Sequence, residues 1–431
     1  MKWDGVVRSI VGGRDFTCAL YVNGSDKCWG GPFGYDLTGR TGLASGLASV
    51  ADGSLQTCFL LDTGGVQCWG YIADGQIGDA SFDNAGLPTL ASGLTSGVKA
   101  ISSGYHFSCA LLITGQVKCW GANGWGQLGN SDLDGFYSSN APVPVLGLSS
   151  RAVAITSGDL HTCALLDTGG VQCWGANVNG VTLGVGDAFV GSSSIPLDVY
   201  GLSSGVTAIS SRNDSTCALL NTGGVKCWGV YTTDQFPPCV ICGGTPFPTE
   251  VSGLTGGVSS LGSGEYHHCA LLSTGDVRCW GLNESGQLGV KGSTRSKPGA
   301  VPVNVLSSSV ESLAVGYNFA CALLKTGNVN CWGDGSLGEL GNGVDRNYGE
   351  MAVNVSGISG NGGSAISGYT VTATPGGATC TTAIVPPAID PVLGCAIDGL
   401  IPGDTYTFTV TATNAVGTSL PSAPSDPITI S

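Results

Sequence analysis

Short apolar runs separated by glycine turns fill most of this chain, and one arrangement of them keeps returning. Between Ser108 and Gly129, the runs Cys109 to Leu112 and Gln116 to Trp120 flank Ile113-Thr114-Gly115. A three-residue loop ending in glycine is a favoured hairpin connection, because glycine takes a left-handed position that strains other residues. With Leu112 opposite Gln116, counting outward sets Leu111 against Val117, Ala110 against Lys118 and Cys109 against Cys119. If the closing pair is hydrogen-bonded, the cysteines form a non-hydrogen-bonded pair with Cα atoms about 4.5 Å apart, at the short end of the disulfide range. The hairpin therefore predicts a cross-strand bridge.

The unit recurs with first cysteines at Cys18, Cys58, Cys109, Cys163, Cys217, Cys269 and Cys321, each followed ten residues later by a second. The predicted bridges are Cys18–Cys28, Cys58–Cys68, Cys109–Cys119, Cys163–Cys173, Cys217–Cys227, Cys269–Cys279 and Cys321–Cys331. A Trp-Gly pair closes each unit, at Trp29, Trp69, Trp120, Trp174, Trp228, Trp280 and Trp332, which we read as structural. The first cysteines lie 40 to 54 residues apart, a period of repeated supersecondary units. A run such as Val98 to Ser102 or Val206 to Ser210 precedes each hairpin, and an earlier one such as Pro142 to Val145 or Val301 to Val305 precedes that. Four strands repeated seven times describe an all-β chain folded as a seven-bladed β-propeller over residues 1–357. The last unit ends with Met351 to Gly357 and no run follows it, whereas the chain begins with Val6 to Ile10. The expectation is that the first and last blades share strands and close the ring.

Trp120-Gly121-Ala122-Asn123 leading into Gly126-Gln127-Leu128-Gly129, and Trp280-Gly281-Leu282-Asn283 leading into Gly286-Gln287-Leu288-Gly289, carry a family signature. Gly338-Glu339-Leu340-Gly341 and Gly75-Gln76-Ile77-Gly78 are near matches, while units one, four and five depart from it. With these motifs the chain resembles the regulator-of-chromosome-condensation repeat family, of bacterial secreted type, over roughly residues 5–357. The resemblance implies seven blades. The eukaryotic namesake binds chromatin and promotes nucleotide exchange on a small GTPase, an activity that the charge of this chain argues against.

Beyond a Gly-Asn-Gly-Gly-Ser linker the pattern switches to strict alternation, in Tyr369 to Thr374 and again in Tyr406 to Ala412, as in strands with one buried face. Residues 358–431 resemble a small fibronectin type III β-sandwich through Gly-Tyr-Thr-Val-Thr-Ala, Leu400 to Tyr406 and Thr413 to Gly417. The resemblance makes Tyr406 the tyrosine-corner residue and Cys380–Cys395 a bridge across the domain. The first two strands and the core tryptophan of such a domain are missing. A sheet short of strands recruits one from elsewhere, so a filament of copies is one expectation.

Composition then narrows the function. The formal net charge is −14 with only 16 basic residues, which excludes nucleic acid as a natural partner. No apolar run is long enough to span a membrane. Eighteen cysteines, all assignable to local pairs, predict an oxidising, extracellular or cell-surface location. Met1-Lys2-Trp3-Asp4 is no signal peptide, so the expectation is a mature or trimmed form. The sequons at Asn23, Asn213, Asn283 and Asn354 are few enough to arise by chance.

Catalytic chemistry is sparse. His106, His161 and His268 precede blade cysteines and read as structural, and His267 points away from His268. Cys239-Val240-Ile241-Cys242 has neither the helix terminus of a redox dithiol nor further zinc ligands, and reads as the loop-stapling disulfide Cys239–Cys242. Asp132 and Asp134 lack the further oxygens of a calcium loop. No cofactor or metal is expected, and the chain is read as no enzyme. It is read as an extracellular structural or adhesive protein that contacts protein partners or copies of itself. The alternative is a soluble binding module or enzyme inhibitor using one propeller face.

Overall fold

The computed structural model describes residues 7–22, 26–30, 46–71, 73–81, 88–133, 135–230, 244–290, 296–306, 309–341, 348–354, 366–383, 397–414, 417–418, 425 and 427–429. The chain divides into two compact units, Met1–Ser356 and Gly357–Ser431.

In the first unit the hairpin sets the blade. Strands Phe107–Leu112 and Val117–Ala122 pair with Leu111 opposite Val117 and Cys109 opposite Cys119. The turn is closed by the Leu112 N–H on the Gln116 carbonyl (2.8 Å) and the Gly115 N–H on the Leu112 carbonyl (2.9 Å). Val98–Ser103 adds on one side and Ser138–Pro144 on the other, completing a four-stranded antiparallel blade. Six blades show this order, and the first shows three strands among the described residues. The first strands of successive blades adjoin one another from Leu47–Asp52 onward, and Val310–Val315 of the seventh adjoins Val7–Gly12 of the first. These strands surround the axis of a closed seven-bladed propeller. The seven hairpin cysteine pairs are bonded, with Cα atoms 3.9 to 4.1 Å apart.

The core lies between blades, and the repeat signature exists to make it. The third and fourth strands shift register at Trp-Gly, between Cys119 and Gly121. Gly121 holds φ +102° there, and a Cβ would lie 2.4 Å from the His106 carbonyl oxygen. The bulge turns the fully buried Trp120 toward the preceding blade, where its Nε1 donates to the Gln76 carbonyl at 2.9 Å. Trp174 does the same to Gln127 (2.9 Å) and Trp332 to Gln287 (3.0 Å). The last glycine of Gly-Gln-Leu-Gly must lie flat on that ring: at Gly129 (φ +65°) a Cβ would come within 2.7 Å of Trp174 Nε1. The motif asparagine pins the loop, its Oδ1 accepting from the Leu128 N–H at 3.2 Å in the third blade and from Leu288 at 3.0 Å in the sixth.

Unit four follows the same plan with one residue inserted. Asn177 Oδ1 accepts from Leu183, Gly184 lies against the Trp228 ring, and Asn179 takes up the extra residue at φ +53°. Among the described residues, the buried Trp228 Nε1 has no hydrogen-bond partner.

Ring closure departs from the expectation of shared strands. Val7–Gly12 pairs with Phe16–Tyr21 inside the first blade, and Tyr348–Asn354 pairs with Val329–Asp334 inside the seventh. The closing junction is instead a copy of the others. Trp29 Nε1 donates to the Glu339 carbonyl at 2.8 Å. Thr17 Oγ1 lies 3.5 Å from Cys321 Sγ, as Thr162 and Thr216 lie 3.8 Å from Cys109 and Cys163. Each repeat already begins with its axial strand, so repeat and blade are in phase and no exchange is needed.

The second unit holds strands Ile366–Thr374, Thr379–Ala383, Thr405–Asn414, Gly417–Thr418 and Ile428–Thr429. Tyr369 faces Ala412 and Val371 faces Val410, while Thr370 faces Thr411 and Thr372 faces Thr409. Tyr406 is buried and its hydroxyl accepts the Ile401 N–H at 3.1 Å, the local link of a tyrosine corner. Cys380 is disulfide-bonded, while Cys395, Cys239 and Cys242 lie outside the described residues.

Candidate functional site at the loop end of the propeller

Because the strands of a blade alternate in direction, the turns from first to second strand share one end of the ring with the long Trp-Gly loops. The hairpin turns share the other. Hydrogen bonds tie the two kinds of loop together, from the Tyr71 N–H to Leu55, Ala122 to His106 and Leu282 to Tyr266.

One residue per blade, four before each first cysteine, lies in the turn between first and second strands at this end: Arg14, Ser54, Tyr105, Asp159, Asn213, Glu265 and Tyr317. Their backbones form a belt. Ser54 donates to Tyr105, Tyr105 to Asp159, Asp159 to Asn213, Glu265 to Tyr317, and Tyr317 to Arg14, over 2.8 to 3.2 Å. Asn213 stands at φ +49°, and its side-chain Nδ2 reaches the Glu265 carbonyl at 3.5 Å. The Arg14 N–H donates to the Asp52 carboxylate and its guanidinium to Ser54 Oγ, both at 2.6 Å, which completes the circle.

The belt is electrostatically tense. The Arg14 guanidinium stacks 4.3 Å over the Tyr317 ring, whose hydroxyl donates to Glu265. Burial pushes the carboxyls of Asp15, Asp52, Asp159 and Glu265 upward, opposed in each by nearby positive charge from Arg14, Arg212 or both, and in Asp52, Asp159 and Glu265 also by hydrogen bonds. Asp214 is pushed up to about 6 by burial and then by Asp159. Glu339, at the closing junction, is pushed up to about 7, chiefly by burial. Arg14, Asp52, Ser54, Asp159, Arg212 and Tyr317 line a small recess of about 10 Å³, room for one water at most. The belt lines this end of the axis.

The histidines fall into two groups. His161 and His268 are buried at blade junctions, His161 Nε2 on Thr216 Oγ1 (2.8 Å) and His268 Nδ1 on Ser263 Oγ (2.9 Å). Burial holds His161 and His267 down to about 3 and His268 to about 4, so all three stay neutral. His106 is partly exposed, with Nδ1 2.8 Å from Asp74 Oδ2. Asp132 sits in a short 3₁₀ turn, Ser131–Leu133, its N–H on Asn130 Oδ1, and Asp134 lies outside the described residues. Among the described residues, no three His, Cys, Asp or Glu side chains stand together as metal ligands. A cleft of about 480 Å³ beside Tyr200 holds one carboxylate, Asp198, which accepts from Gln172.

Sequence reasoning missed the belt. Aligning the repeats on their first cysteines reveals it, since the fourth residue back is Arg, Ser, Tyr, Asp, Asn, Glu and Tyr in turn. That position shares an address and no residue type, so a search for repeated motifs passes over it.

The geometry defines a closed, disulfide-stapled β-propeller whose loop end carries a hydrogen-bonded belt around the axis. Residues 98–127, 152–181, 258–287 and 310–339 match the regulator of chromosome condensation (RCC1) repeat. A second RCC1 repeat description matches residues 114–165 and 274–323, and the fibronectin type III domain matches residues 350–428. The chain therefore consists of an RCC1-repeat propeller followed by a fibronectin type III domain. It is 26% identical over 372 residues to the ultraviolet-B receptor UVR8 of Arabidopsis thaliana, covering 72% of this chain and 83% of the receptor. It is 26% identical over 311 residues to the E3 ubiquitin-protein ligase HERC2 of Homo sapiens, covering 65% of this chain but 6% of the ligase. Among solved structures, Prp20p of Saccharomyces cerevisiae superposes with a TM-score of 0.66 at 21% identity, over 83% of this chain and 89% of that one. Human WBSCR16 superposes with a TM-score of 0.64 at 23% identity, over 75% and 84%. At these identities the structural likeness concerns the fold.

Proposed function

We propose that this protein is a non-catalytic binding ring of the cell surface or extracellular space, which meets protein partners with its loop end. The belt is the observation that carries this reading. It rings the axial mouth around a recess with room for one water at most, which favours a partner meeting a broad rim of loops. Seven disulfides fit an oxidising compartment. Prp20p, characterised for its binding to Gsp1p and histones, supports protein contact as a use of this fold, by analogy alone. A structural or adhesive role follows if the partner is a surface protein, and an inhibitory one if it is a soluble enzyme. A photo-crosslinking residue placed at Phe189 on the loop end, or at Ile113 on the hairpin end, tests the reading in the native extract. Protein adducts should form at Phe189 and not at Ile113. Adducts only at Ile113 would contradict it.

Self-assembly through the tail is a second reading, favoured by one observation. The fibronectin match begins at residue 350, yet Tyr348–Asn354 is a strand of the seventh blade. That segment is committed to the propeller, which leaves the sandwich short of it. Sedimentation of the intact chain should show species growing with concentration; a strict monomer would exclude a filament.

A further inference from the structure

We infer that the loop end of blades two to four is a docking surface for an extended protein segment rich in lysine and arginine. The inference rests on the reading of the loop end as the contact face, and adds the partner's chemistry.

Among the described residues, the exposed aromatic residues of this end gather on three consecutive blades. Tyr71 is 53% exposed, Trp125 54%, Phe136 62%, Tyr137 83% and Phe189 98%, with Tyr105 between them at 41%. Hydrogen bonds make the second- and third-blade residues one surface. The Tyr71 N–H donates to Leu55, Ser54 beside it to Tyr105, and Asn123 to Tyr137. His106 stacks on Tyr105 at 4.5 Å and bonds to Asp74 of the second blade, and Tyr105 donates to Asp159 of the fourth.

Loop geometry does not demand these rings. The Trp125 N–H donates to Gln127 Oε1, and Ser285 makes the same bond to Gln287 and Asp74 to Gln76. A serine or an aspartate satisfies that position equally well, so the indole is free to serve another purpose. Exposed Trp and Tyr clusters on a monomer mark contact sites.

Charge selects the partner. Asp74, Asp79, Asp132 and Asp187 stand on the same loops. Between residues 71 and 192 the basic residues are Lys99, Lys118 and Arg151. All three belong to the hairpin end, where Arg151 Nε bonds the Thr114 carbonyl of the turn and Lys99 Nζ the Val153 carbonyl. The arginines nearest these rings, Arg14 and Arg212, belong to the belt, where Arg14 bonds Ser54 and both act on Asp159. Aromatic faces among the remaining carboxylates attract cationic side chains by cation–π contact and charge-assisted hydrogen bonds. Nucleic acid and acidic peptides are repelled.

The test uses the full-length protein and a short fluorescein-labelled peptide of alternating lysine and alanine, followed by anisotropy. Binding should weaken about tenfold from low to physiological salt, as expected for exposed charges. Trp125→Ser, which copies the sixth blade, and Tyr137→Ser should each weaken it about fivefold. Asp132→Asn with Asp187→Asn should weaken it and flatten the salt dependence, while Asp167→Asn on the hairpin end should leave it unchanged. Unaltered melting curves keep the variants interpretable. Equal binding of the matching glutamate peptide would overturn the inference. So would indifference to the loop-end variants, or binding of neutral oligosaccharides in place of the peptide. If the peptide fails while adducts still form at Phe189, the cationic partner alone is wrong; if both fail, the contact face is wrong as well.

Discussion

The two ends of each blade are built under different constraints. At the hairpin end six of the seven turns carry Thr-Gly, because three residues must reverse the chain and leave the cysteines opposed. At the loop end the belt position changes residue in almost every blade, and the long loops differ in length and in exposed side chains. Where backbone geometry decides, the repeat is uniform; where side chains are free to face solvent, it diversifies, as expected of loops on a rigid scaffold.

The largest effect should come from the uniform end. Each hairpin bridge closes a short loop and contributes about 2–3 kcal/mol by chain entropy. Replacing both Cys109 and Cys119 by serine should lower the denaturant midpoint by that equivalent, and full reduction should lower it several times further. Peptide mapping without reduction should recover Cys109 linked to Cys119, and links between blades would break the scheme.

Glycine substitutions compare the ends directly. Gly129→Ala forces a Cβ into the Trp174 ring at a left-handed backbone position and should cost about 3 kcal/mol. Gly327→Ala, at φ +85° in a hairpin turn with open space around it, meets only the backbone strain and should cost about 1 kcal/mol. Equal melting shifts for the two would show that the loop glycine is not there for the tryptophan.

Tryptophan variants separate the hydrogen bond from the packing. Trp120 and Trp228 are both fully buried, but of the two only Trp120 Nε1 has a carbonyl to donate to among the described residues. Trp120→Phe should therefore cost about 1 kcal/mol more than Trp228→Phe in chemical denaturation.

A pH-dependent effect concerns Glu339, which takes the place of the motif glutamine, its Oε2 accepting from the Leu337 N–H. Its folded pKa, about 7, lies above the ordinary value of 4.5, so the folded state binds more protons than the unfolded one between those two values. Stability should fall as pH rises through that window and level off above it. Glu339→Gln keeps the hydrogen bond, so it should raise the melting temperature at pH 8, leave it nearly unchanged at pH 4, and flatten the profile between. No gain at pH 8 would show that the carboxylate is better solvated than its burial implies.

Much of the propeller was legible because its decisive constraints are local. Ten residues between cysteines around a Thr-Gly turn imply the register, and the register implies the facing sulfurs. The purpose of Gly-Gln-Leu-Gly was not legible, since Trp120 and its acceptor Gln76 lie 44 residues apart and belong to different blades. Ring closure was misread for a related reason. Met351 to Gly357 looks like a lead-in to a missing strand, yet Val353 already opposes Cys331 as the outer strand of its own blade. The belt escaped because its residues share a position without sharing a type, and no pattern of hydrophobicity marks them.

Hydrogen exchange of the intact protein, with and without the lysine peptide, tests the division between the ends most directly. Protection should rise in the loops around Tyr71 to Asp79 and Asn123 to Tyr137 and around Phe189, while the hairpin turns at Ile113 to Gly115 and Thr168 to Gly170 stay unchanged. Protection centred on the hairpin turns, with the loops of blades two to four unaltered, would contradict the assignment of the loop end as the contact face.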